Sequence, residues 1–147
     1  MNKIIKNTLI LAAITVVSGL VLGAAYEVTK DPIAQTQAKQ KQEACQAVYT
    51  EADSFEAMDV DQKAAKEAIK KMGTNATVDE VYSAVMDGSE AGYVITVTDK
   101  DGYGGDIQIT VGIMADGTVN GISFLSISET AGLGMRAKEP NFYNQFA

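Results

Sequence analysis

An acid, a hydroxyl, an apolar side chain and two glycines fall together in Glu129-Thr130-Ala131-Gly132-Leu133-Gly134, directly after a run rich in Ser and Ile. Glycines there let backbone N–H groups come close to an anion or a planar ring. With Thr130 as a polar partner and Leu133 as an apolar one, the set suits a ligand with an apolar plate and polar edges. A second glycine-rich stretch, Gly102-Tyr103-Gly104-Gly105, precedes the alternating run at 106–114.

Other chemistry is excluded or lacks a pattern. The 147 residues contain no His and one Cys, Cys45. There is thus no Ser-His-Asp or Cys-His pair, no His-ligated metal, no internal disulfide and no CxxC pair. Asp99, Asp101 and Asp106 around Gly102 resemble a calcium loop, but the register fails: counted from Asp99, Gly102 is fourth and Thr110 twelfth, where an EF-hand needs Gly sixth and Glu twelfth. A hairpin turn is the reading of that segment, and no metal site is expected. No pair of carboxylates stands out for acid–base work, so no catalytic residue is assigned. The formal net charge of −7 argues against nucleic acid as a partner.

The charge is unevenly placed. Lys3, Lys6 and Lys30 against Glu27 leave residues 1–30 at +2, and residues 31–147 carry −9. Residues 7–26 hold no charge. As a helix they reach about 30 Å, the thickness of a bilayer's hydrocarbon core. Lys3 and Lys6 ahead of the run keep the N-terminus cytoplasmic by the positive-inside rule, so the acidic remainder is exported. A cleaved signal peptide is the other reading, since Gly23-Ala24-Ala25 offers small residues. The length of the run and the helical pattern after it favour a retained anchor.

The elements that must position the two loops follow. Asp31-Pro32 predicts a helix start, and the Ala/Gln/Lys/Glu-rich stretch to Tyr49 a polar stalk helix, with Cys45 a small packing residue. Residues 52–58 read as a connector. Residues 61–72 predict an amphipathic helix, with Ala64, Ala65, Ala68, Ile69 and Met72 on one face and Gly73 beyond its end. Four strands are expected at 78–85, 92–98, 106–114 and 119–128, with Asp87-Gly88 and Asp116-Gly117 as turns. They form an antiparallel meander that the helix at 61–72 covers on one face. Residues 140–146 begin a helix with Phe142 and Phe146 one turn apart. The class is α+β: a single N-terminal transmembrane helix and anchor (1–30), a stalk and connector (31–58), then a small antiparallel-sheet domain (59–147).

Residues 102–134, from the Gly-Tyr-Gly-Gly turn through Asp116-Gly117 to Glu-Thr-Ala-Gly-Leu-Gly, closely resemble the FMN-binding domain shared by the G subunit of the Rnf electron-transport complex and the C subunit of the sodium-pumping NADH:quinone reductase. The single anchor, Asp31-Pro32-Ile33 and the aromatic run at 142–146 match as well, and the Rnf G subunit is the closer likeness. Family members usually carry Pro where this chain has Ala131, a modest loss of loop stiffness. The resemblance implies FMN as cofactor, esterified to a Thr in a Ser-Gly-Ala-Thr-like motif after the aromatic run. The sequence to Ala147 has no such motif, so a fragment is expected, and Thr130 is not that residue.

What the resemblance implies is a flavin-carrying electron-transfer subunit of an ion-translocating oxidoreductase complex, not a stand-alone enzyme. It would lie in the bacterial cytoplasmic membrane with its C-terminal domain outside, among other membrane subunits. The implied cofactor-binding residues are Glu129, Thr130, Gly132, Leu133 and Gly134. Backbone N–H groups and Thr130 meet the ring edges and Leu133 its face; Glu129 orients the loop or places negative charge nearby. Two alternatives stand beside this reading: an anchored extracytoplasmic flavin- or ligand-binding module without redox work, and an inactive fragment lacking its flavin.

Overall fold

The computed structural model describes residues 2–146. The chain divides into two compact units between Lys39 and Gln40. Helix α1 (Lys3–Val48) runs through both. In the first unit its apolar side chains, among them Leu9, Leu11, Ile14, Leu20 and Leu22, are all exposed. Among the described residues it is the one helix long and apolar enough to cross a bilayer.

The expected helix start at Asp31-Pro32 is not observed, because α1 passes through Pro32 without a break. Proline removes one N–H from the ladder and orphans the carbonyl four residues earlier. Helix formers on both sides outweigh that loss, and the site is exposed, so water can take the freed carbonyl.

The second unit is a five-stranded antiparallel sheet, β1 (Ser54–Met58), β2 (Thr77–Met86), β3 (Ser89–Asp99), β4 (Ile107–Met114) and β5 (Val119–Ser126), in sequential order. The four expected strands are present. The expected connector is instead edge strand β1, whose Ser54 to Met58 pair with Val85 to Val81. The β2–β3 turn has φ of 52° at Asp87 and 73° at Gly88, as a type I′ hairpin requires.

Helix α2 (Gln62–Met72) begins where Asp61 Oδ1 accepts the N–H groups of Lys63 and Ala64, at 2.9 and 3.1 Å. It ends at Gly73, whose φ of 76° is a left-handed cap. It lies against β2 but buries no residue completely. The helix that closes a sheet face is therefore the end of α1, a correction to the expected role of α2. Cys45, Val48, Tyr49 and Ala52 form the core with Ala84 and Val94.

Glycines make room for that helix end. Opposed residues of an antiparallel ladder share a face, which places Gly92, Val94 and Thr96 of β3 beside Gly112 and Thr110 of β4. Cβ atoms added to Gly92 and Gly112 would lie 3.0 Å from Tyr49 Cε2 and 2.3 Å from the Val48 carbonyl oxygen. Asn120 Nδ2 donates to that carbonyl at 2.9 Å, and the Tyr49 hydroxyl donates to the carbonyl of Ala91 at 2.8 Å. The opposite face carries Ile95, Val97, Ile109, Val111, Ile113, Ile122 and Phe124, all half-buried.

At the rim of the core, Glu80 forms a salt bridge with Lys41 (2.5 Å) and accepts a hydrogen bond from the Tyr82 hydroxyl (3.0 Å). Burial, then the charge of Glu80, pushes the Cys45 thiol above its ordinary 9.0. Burial, then the hydrogen bond to Glu80, pushes Tyr82 up from 10.0 to about 12. Both groups are neutral in the fold and ionise more readily in the unfolded chain. Their contribution to stability is complete below their ordinary values and is lost as pH rises. Urea unfolding should therefore show stability falling from pH 9 upward, with Tyr82→Phe removing the part between 10 and about 12. A parent curve that is flat over that range would contradict this origin.

Candidate functional site

The two glycine-rich stretches meet at the end of the sheet. The Gly104 N–H donates to Glu129 Oε1 at 3.1 Å. A Cβ on Gly104 would lie 2.2 Å from the Ser128 carbonyl oxygen, and one on Gly134 would lie 2.5 Å from Glu129 Cβ. Glu129 is thus held between the 102–105 turn and Gly134, and only glycine leaves room for it on either side. Gly134→Ala should displace Glu129 and free the Gly104 amide. With a net hydrogen bond of about 1 kcal/mol, exchange of that amide with deuterated water should quicken roughly fivefold. Unchanged exchange would mean that the contact is incidental.

Beyond Glu129 the chain turns back on itself. The Thr130 carbonyl accepts the N–H groups of Leu133 (3.1 Å) and Met135 (3.3 Å), and Gly132 has a φ of 77°. This turn leaves Leu133 72% exposed. A 3₁₀ turn, Gly134–Lys138, leads into the short helix α3 (Pro140–Tyr143) and a second 3₁₀ turn, Asn144–Phe146. There the rings of Phe142 and Phe146 stack tilted, with centroids 5.6 Å apart, the one-turn pair expected from the sequence.

The loop and α3 enclose an open cavity of about 510 Å³. Gly132, Leu133, Gly134, Arg136, Asn141 and Phe142 are among the residues that line it. Three of the five sequence-derived site residues (Gly132, Leu133 and Gly134) therefore share one cavity. Glu129 and Thr130 do not line it: Glu129 braces the two loops, and Thr130 stands exposed, its carbonyl holding the turn.

Arg136 was missed from sequence, where a cation in a polar stretch reads as solvated surface. It is the only arginine in the chain. Its Nε lies 3.5 Å from Glu139 Oε2. Asn141, a neutral amide just after Pro140, gives no local signal of a cavity. The residues around Asp99 form a turn, as expected: the Asp101 N–H donates to Asp99 Oδ1 at 3.0 Å, and Asn75 Nδ2 donates to Asp101 at 2.9 Å. Among the described residues no three carboxylate or thiol side chains converge.

In kind and scale the cavity suits a ring with a polar tail, since ligand sites of about 300–1,000 Å³ pair apolar walls with a few polar groups. Residues 1–48 match the RnfG N-terminal region, and residues 102–146 match the FMN-binding domain, a span that holds both glycine-rich loops and the whole cavity. The G subunit of the Na(+)-translocating ferredoxin:NAD(+) oxidoreductase complex of Acetobacterium woodii is 32% identical over 137 residues, which is 91% of this chain and 65% of that one. The G subunit of the proton-translocating ferredoxin:NAD(+) oxidoreductase complex of Clostridium ljungdahlii is 29% identical over 99% of this chain and 69% of its own. The G subunit of the ion-translocating oxidoreductase complex of Vibrio cholerae is 33% identical over 91% of this chain and 63% of its own. The chain thus spans about two thirds of the length of these relatives. It is thus similar to the RnfG N-terminal region at one end, to the FMN-binding domain at the other, and to Rnf-type G subunits along most of its length.

Proposed function

We propose that this protein holds FMN at the 132–142 cavity and relays electrons as a subunit of a membrane-bound, ion-translocating oxidoreductase complex. The carrying observation is the cavity itself: within the segment that matches an FMN-binding domain, Leu133 and Phe142 offer apolar surface beside a turn of glycines and a guanidinium. A bound flavin would supply one- and two-electron chemistry, and the protein has only to hold and tune it. Leu133 packs on the ring face. The backbone at Gly132 and Gly134 can approach a ring edge closely because neither residue has a side chain. Glu129 keeps the loop in shape from behind rather than touching the ring.

The anchor is residues 7–26, the N-terminus is cytoplasmic, and the sheet lies outside the membrane. Lys3 and Lys6 on one side of the apolar run and the −9 charge beyond residue 30 support this orientation. Other membrane subunits contact the anchor, where Ser18-Gly19 and Gly23-Ala24-Ala25 allow close helix packing. The boundaries 1–30, 31–58 and 59–147 describe the division of labour: tether, spacer and flavin-bearing part. Residues 40–58 also contribute a helix end and an edge strand to the second unit.

The test is optical. The full chain, solubilised from membranes and supplied with FMN, should retain a yellow chromophore that bleaches on reduction and returns in air. A protein that retains flavin but does not cycle would be a binding module without redox work. A colourless protein would overturn the proposal.

A further inference from the structure

We infer that the exposed lysine stripe of α2 docks on anionic phospholipid headgroups of the bilayer that α1 crosses. The inference rests on the anchor and is independent of the flavin. Helix α2 holds Lys63, Lys66, Lys70 and Lys71 against Glu67 alone, a net charge of +3, whereas the rest of residues 31–147 carries −12. At about 3.6 residues per turn, Lys63, Lys66 and Lys70 fall within about 60° of one another. The half-buried Ala65 and Ile69 lie on the other side of the helix, which packs against β2, so the stripe faces solvent. All four lysines are exposed, and none makes an ion pair among the described residues.

Local stability does not account for the stripe. Lys70 and Lys71 suit the last turn, where the helix dipole favours cations, but Lys63 and Lys66 stand in the first two turns, where it disfavours them. Lys63 and Lys66, and Lys66 and Lys70, also repel each other at three- and four-residue spacing. Such a helix fits a partner that brings negative charge. Its place in the second unit points to lipid. The chain leaves that unit at Gln40, and the adjacent Lys41 is bonded to Glu80. Gln62, at the start of α2, donates through Nε2 to the Val78 carbonyl at 3.3 Å. The exit toward the anchor and the start of α2 therefore lie at the same end of β2. Residues 27–39 join the uncharged run to this unit, about 20 Å as a helix, so headgroups are within its reach. Each cation brought to an anionic surface favours contact roughly fivefold, so the lysines act together. The −12 elsewhere repels the same surface and confines contact to α2.

The experiment places the full chain in lipid nanodiscs, one set of phosphatidylcholine and one that also holds phosphatidylglycerol. Its amines are acylated briefly with a water-soluble succinimidyl ester, and each lysine is read by mass spectrometry. Lys63, Lys66 and Lys70 should react about tenfold more slowly in the anionic discs, with Lys138 unchanged, and added salt should restore their rates. Lys63→Gln combined with Lys66→Gln should melt as the parent does and let Lys70 react nearly as fast in anionic discs as in neutral ones. Slowing of Lys70 that persists in this variant would overturn the inference. Equal rates for the stripe in both kinds of disc would also overturn it and leave the lysines to an acidic protein. Equal slowing of Lys138 would do the same, since the effect would then belong to the lipid charge and not to α2. A chain that enters neither disc would overturn the anchor reading and this inference with it.

Discussion

Leu133→Asp folds and melts as the parent does, and its affinity for FMN falls about 10- to 100-fold. The first half of this expectation follows from exposure. Leu133 is 72% accessible, and it stands at the N-cap of the Gly134–Lys138 turn, a position that aspartate suits, so the change should move stability by no more than about 0.5 kcal/mol. The second half follows from what the ligand would cover. Seating a ring on a leucine is worth about 1.5–3 kcal/mol, one to two decades in affinity. Aspartate removes that surface and would set a solvated charge against the ring. Fluorescence titration and a thermal melt on the same preparation separate the two effects. Undiminished binding would remove the loop from the site.

The largest loss of stability is expected far from that loop, from Gly112→Val. The first atom of the new side chain would stand 2.3 Å from the carbonyl oxygen of Val48, and a backbone atom cannot swing aside. The end of α1 would have to lift from the sheet, exposing Cys45, Val48 and Tyr49, which are all but fully buried. Overpacking of this kind costs about 3 kcal/mol or more, which should lower the melting midpoint by roughly 10 °C or more. Val111→Ile adds a methylene to the next residue, on the half-buried opposite face, and should barely move the midpoint. Equal effects from the two changes would show that the helix end does not close the sheet.

How far the sequence discloses this molecule depends on the distance over which each feature is written. The capped helix α2, the hairpin turns and the alternating strands are set by neighbours a few residues apart, and all are legible. So is the Glu129–Gly134 loop, whose acid and glycines are adjacent. The groove for Val48 is not, because Gly92 and Gly112 lie on different strands and each looks like an ordinary weak point in a β-branched run. An isolated glycine within a strand pattern does signal a close backbone approach, and that was the available clue. Strand β1 was hidden for another reason: it has five residues, sits at an edge, and takes its conformation from β2 rather than from its own propensity. Pro32 misled because a local rule was outweighed by the helix formers around it. The bracing role of Glu129 was not legible, since its partner Gly104 is 25 residues away. Arg136 was visible only as a singularity of composition.

The most direct test of the central claim is a nuclear Overhauser experiment on the isotope-labelled full chain with FMN added. Protons of the isoalloxazine ring should show cross-peaks to the methyl groups of Leu133 and to the ring of Phe142. Cross-peaks confined to the opposite, Ile95–Val111 face of the sheet, or none at all, would contradict the account.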